Sequence, residues 1–159
     1  MSAPAPRRAG RRSVTAGLLL GLSGVTGAAA QNRSRPMLPP DVVARADAAD
    51  LLIAPRDLTT RTRITPDSLS AVARKTRLAK GSSAWAGLAT ALASADFAAG
   101  GEAREVRLGV VLYDGDRTLA SLFLQPASAA RDGRVFAVVN GQASSASAAL
   151  AQALEALGG

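Results

Sequence analysis

Neither histidine nor cysteine occurs among the 159 residues. Their absence removes disulfides, Cys- or His-ligated metal centres, thiol nucleophiles and any Ser-His-Asp arrangement within the chain. A metal site would have to be all oxygen, and a hydrolase would have to run on carboxylates, Lys or Tyr. Aromatic residues are scarce as well. The five are Trp85, Phe97, Tyr113, Phe123 and Phe136, all in the second half, so the large core anchors must come from there. No acid precedes Asp41, and no apolar run after residue 30 is long enough to span a bilayer.

The missing acids decide how the charge is read. A formal charge of +7 suggests a nucleic-acid binder, but Arg7, Arg8, Arg11 and Arg12 all fall in the first twelve residues. Taking those four from the 19 basic residues leaves 15 against 12 acids, a surplus of three. A surplus that small, without interleaved aromatics, describes ordinary surface, and nucleic acid is not expected as a partner.

Residues 1–30 have the three parts of an export signal: a basic start, a mildly apolar stretch centred on Gly17-Leu18-Leu19-Leu20-Gly21-Leu22, and the small residues Gly27-Ala28-Ala29-Ala30. Ala28 and Ala30 satisfy the small-x-small rule for cleavage before Gln31. Arg11-Arg12-Ser13-Val14, ahead of a weakly hydrophobic Gly-containing core, resembles a bacterial twin-arginine export signal. Gly10 stands where that motif prefers Ser or Thr, and Val14-Thr15 where it prefers Phe-Leu. The resemblance implies export of an already folded domain, with the membrane met only in transit. General secretion, an uncleaved anchor over residues 13–30 and an organellar transit peptide use the same features. With no Cys after the apolar run, lipoprotein anchoring is excluded.

Residues 31–44, rich in Pro and Arg, are expected to be a flexible lead-in, and residues 45–159 a single α+β domain. A short helix within 41–50 and a strand at 51–54 open it. Thr65-Pro66-Asp67 starts a helix, with Thr65 as cap and Pro66 at the first helical position, and Arg74 and Lys75 close it. A short strand at 76–80 follows. Ser82 or Ser83 then caps a second helix whose stripe is Trp85, Leu88, Ala89 and Leu92.

Residues 105–125 carry the strongest structural signal. Two apolar runs flank Asp114-Gly115, residues that tolerate the positive φ of a primed hairpin turn. Val106, Leu108, Val110 and Leu112 alternate onto one face, and Ala120, Leu122 and Leu124 match them from the second strand. Leu119, Ser121 and Phe123 take the other. A third strand at 134–139 ends in the Asn140-Gly141 turn, and Ser144 or Ser145 caps a closing helix through Leu150, Ala153, Leu154 and Leu157. The expected architecture is a small, mainly antiparallel sheet of four or five strands under about three helices, those carrying Leu69, Trp85 and Leu154 sharing one face.

No spacing forces chemistry. Asp114-Gly115-Asp116 lacks the regular ligand ladder and later Glu of a calcium loop, so neither metal nor cofactor is expected. Paired carboxylates would come from Asp50, Asp57, Asp96, Glu102, Glu105 or Glu155, with Lys75 and Lys80 as candidate perturbed bases. Arg61 and Arg63 would share a face if extended and could meet a phosphate, though charged residues of this kind also guard sheet edges. Trp85 reads as core before ligand platform. The Ala-rich closing helix hints at self-association. The expected function is therefore an exported, periplasmic or secreted, non-catalytic binding or accessory protein with a protein partner or a second copy. The alternatives are a carboxylate-dependent lyase or glycosidase, and an anion or nucleic-acid binder.

Overall fold

The computed structural model describes residues 38–159, so Arg11, Arg12, Ala28 and Ala30 of the export signal lie outside the described residues. The central hairpin joins β4 (Leu108–Asp114) to β5 (Arg117–Leu124), paired antiparallel from Leu108 opposite Leu124 to Asp114 opposite Arg117. Gly115 alone takes a positive φ, +58°, at the first of two central positions, as a II′ turn requires. Asp114, expected to share the turn, is the last paired residue of β4. The register slips between Leu112 and Tyr113, which leaves Leu119 without an opposite residue. That bulge turns Leu119 toward the core of the helix-covered face, away from Ser121 and Phe123 with which plain alternation had grouped it.

Five more strands complete one sheet: β1 (Ala48–Ile53), β2 (Arg74–Ala79), β3 (Phe97–Ala99), β6 (Arg134–Val139) and β7 (Gln142–Ser147). The order is β2-β1-β4-β5-β6-β7-β3, every neighbouring pair antiparallel. With α1 (Pro40–Arg45), α2 (Pro66–Val72), α3 (Ser83–Ala93) and α4 (Ala148–Leu157), the fold is α+β as expected, with a larger sheet. None of these helices is long and apolar enough to cross a membrane.

Ser144 and Ser145 lie inside β7, and it is Ser147 that stands at the N-cap of α4. The reason is the turn before them. Asn140 and Gly141 take φ of +50° and +79°, the primed geometry that returns a chain directly into an antiparallel strand. Arg74 and Lys75 are likewise strand residues, because Ala73 leaves the helix at φ −85°, ψ 147° and β2 pairs with β1 from Arg74 onward. The start of α2 is as expected: Thr65 Oγ1 accepts from the Ser68 backbone N–H at 3.4 Å, and Ser68 Oγ accepts from Thr65 N–H at 2.9 Å.

Helix and strand do divide the stretch before residue 54, but β1 starts at Ala48, because Asp47 already donates its backbone N–H to the Tyr113 carbonyl. Leu38 is buried and α1 starts at Pro40, so structure reaches into the segment read as lead-in.

The main core lies between the sheet and α1, α3 and α4. Leu51, Leu108, Val110, Leu112, Leu122 and Leu124 point into it from the strands, and Trp85, Leu88, Leu92, Leu150 and Leu154 from the helices. The apolar face of α4, read as a hint of self-association, is used against its own sheet. Leu69 sits on the opposite face with Leu52, Ala54 and Ile64. This corrects the grouping of all three helices. Gly109 makes the approach possible, since a Cβ there would come within 3.1 Å of Leu69 Cδ2 and 3.0 Å of Phe123 Cδ1. The loop from 55 to 65 closes this second cluster, held by Arg107, which donates to the carbonyls of Pro55 (3.0 Å) and Leu58 (2.9 Å).

Candidate functional site

The helical side holds a sizeable concavity. Gly81, at φ +89°, turns β2 into α3, and Ser82 Oγ accepts from the Trp85 backbone N–H at 3.1 Å. This cap sets the phase that drives Trp85, Leu88 and Leu92 toward the sheet, with Trp85 only 7% exposed. Between α1 and α3 lies an apolar groove of about 710 Å³. Leu38, Val43 and Ala44 line it from the α1 side, Trp85, Ala89 and Leu92 from α3, and Phe97 from beyond the C-terminus of α3. Two charged residues reach it, Lys80 ahead of the helix and Asp96 after it.

Their electrostatic situations differ. Asp96 Oδ2 accepts from Arg134 Nη1 at 2.7 Å, so its charge is matched within the fold. Lys80 Nζ donates to the Ala44 carbonyl at 2.6 Å, which ties α1 to the β2–α3 turn, and the ammonium has no carboxylate in ion-pair range among the described residues. A mostly apolar cleft of this size with one or two polar groups at its rim has the form of a small-molecule site.

The opposite face carries a polar cluster. Asp50 on β1 is 1% exposed, yet sits between cations from β2: Arg77 Nη1 donates to Oδ1 at 3.1 Å, and Lys75 Nζ lies 2.7 Å from Oδ2. Oδ2 makes no well-directed hydrogen bond, so the ammonium charge is its compensation. The Arg77 guanidinium lies 4.5 Å from the Tyr113 ring centroid. Burial opposes ionisation of Asp50, but the contacts from Lys75, Arg77 and Tyr113 outweigh it and hold the carboxyl below its ordinary 3.8. The Asp50 contact raises Lys75 above 10.5, and burial together with Asp50 raises Tyr113 above 10.0. This is a locked ion cluster: Lys75 holds its proton more firmly than a free lysine, which leaves less neutral amine to act as a general base, and the Asp50 carboxylate is already engaged.

The other candidate acids are scattered. Asp57 lies in the turn after β1, Asp96 meets Arg134, Glu102 meets Arg104, Glu105 meets Arg107, and Glu155 meets Arg56 and accepts from the Ala127 backbone N–H. Glu102 and Glu105 line a common depression, of about 280 Å³, but each already has its own arginine. Arg63 donates to the Ala103 carbonyl at 2.8 Å in place of joining Arg61 on an extended face. Asp114 pairs with Arg45 at 3.7 Å, and no group of three or more acids able to hold a metal ion occurs among the described residues.

Sequence reasoning missed the α1 wall of the groove. A usable signal was present in Leu38-Pro39-Pro40-Asp41-Val42-Val43: Pro40 at the first helical position, with Leu38 and Val43 at the spacing of a hydrophobic staple. The sequence offers Lys80 only as a base, whereas the fold places it at the rim of an apolar trough. Against known proteins, no family model, no curated protein and no solved structure matches the chain.

Proposed function

We propose that this protein is an exported, non-catalytic binding protein whose ligand sits in the groove between α1 and α3. The groove carries this reading: about 710 Å³ of mostly apolar space beside the one tryptophan of the chain. Its preformed walls favour capture of a small apolar molecule over a protein surface or a second copy. Placement in the periplasm or outside the cell rests on the tripartite leader and its Ala28-Ala29-Ala30 cleavage signal.

The full-length chain should bind the neutral apolar dye Nile red saturably, with quenching of Trp85 emission. Ala89→Phe, which fills the trough from a half-buried position on the groove side of α3, should abolish that quenching while leaving the circular dichroism spectrum unchanged. Absence of saturable dye binding would remove the groove as a ligand site. N-terminal sequencing of the exported product should begin at Gln31, and a product still starting at Met1 would defeat the export reading.

A further inference from the structure

We propose that the ligand of this groove is a single-chain amphiphile with a monoanionic carboxylate head, its chain lying along α3 and its head at Lys80. The proposal rests on the groove being the binding site and adds what binds there. Three observations carry it. The lining from Val43 through Trp85 to Phe97 is hydrocarbon and aromatic, which stabilises a chain by removing it from water. The trough follows α3, whose 11 residues make it roughly 16 Å long, the same order as an extended dodecyl chain. The charges at its two ends are unequal, since Asp96 is neutralised by Arg134 while Lys80 has no acidic partner among the described residues.

That inequality sets the polarity of the ligand. A cationic head at the Asp96 end would compete with a guanidinium already 2.7 Å from the carboxylate. An anionic head at Lys80 finds an ammonium whose three donors are not exhausted by its one bond to the Ala44 carbonyl. Lysine presents a compact single charge, which matches a carboxylate and leaves a dianionic phosphate half uncompensated. Lys80 is exposed, so the head stays hydrated at the rim while the chain is buried.

The test titrates the full-length chain with dodecanoate and with dodecanol, below their aggregation limits, following Trp85 emission. Dodecanoate should bind about fivefold tighter than dodecanol, the scale of one partly exposed ion pair. Lys80→Gln keeps an N–H for the Ala44 carbonyl but removes the charge, and should erase that preference by weakening dodecanoate to the level of dodecanol. Lys80→Arg should retain it. Equal binding of both compounds, unaltered by Lys80→Gln, would overturn the carboxylate assignment while leaving the groove a binding site. Nile red binding without response to either dodecyl compound would overturn the single-chain ligand. Failure of all three, including the dye, would remove the underlying reading too.

Discussion

On one face of the sheet, Leu51, Val110 and Leu122 are buried in one cluster with Leu88, Leu150 and Leu154 from the helices. On the other face, α2 and the loop before it dry one corner around Leu52, Ile64 and Leu69, while next to it Asp50 lies under two cations whose side chains are 60% and 50% exposed. The faces alternate along the same strands, so local β-propensity cannot account for the difference. What differs is cover. Three helices cover the first face with an oil layer into which the groove opens. A single seven-residue helix leaves the second face room for long polar side chains that reach water.

The largest expected effect tests that contrast. Leu154→Ala, in the oil layer, should cost about 3–5 kcal/mol, because the surrounding helices and strands cannot collapse into the void. Leu69→Ala should cost less, about 2–3 kcal/mol, since α2 has few tertiary neighbours and can settle toward Gly109. Urea denaturation of both variants measures the difference. Equal costs, or the reverse order, would mean that the two clusters are equally rigid and that the contrast in cover is not energetic.

The next effect concerns the ion cluster. Removing a buried charge whose partners are exposed differs from removing an exposed partner of a buried charge, because Lys75 and Arg77 simply return to water. Asp50→Asn should therefore cost only about 1–2 kcal/mol, and Asp50→Leu should lie within about 1 kcal/mol of the natural protein, beside Val111 on the neighbouring strand. Losses as large as that of Leu154→Ala would place Asp50 among the structural determinants of the sheet.

These variants fall on features that were unequally visible in the sequence. The hairpin was legible because Asp114-Gly115 and the alternation around it are local, and so were the caps at Thr65 and Ser82, whose partners lie three residues away. β7 was not, since Gln142-Ala143-Ser144-Ser145-Ala146-Ser147 has the composition of a helix start and becomes a strand only by pairing with β6 and β3. Arg74 and Lys75 looked like helix-closing cations, for the acid that recruits Lys75 is 25 residues earlier on another strand. The groove was half legible. Its α3 wall follows helical periodicity, but its α1 wall depends on how two distant segments pack.

The smallest effect is the pH dependence of the ion cluster. Asp50 titrates lower in the folded chain than its ordinary 3.8, so its stabilisation is complete above that value and is lost as pH falls through the depressed pKa. Lys75 and Tyr113 are shifted the other way, so their contributions are complete below 10.5 and 10.0 and are lost as pH rises through the raised values. Relative to Asp50→Leu, the natural protein should therefore hold a constant urea midpoint between these limits and lose ground at both extremes, modestly, because water screens the exposed cations. Leu154→Ala should track the natural protein in parallel across the whole range, since nothing it removes can titrate. A flat Asp50→Leu difference would show that the cluster is held by packing around β1 and β2 and that its charges contribute nothing, which would erase the physical distinction between the two faces.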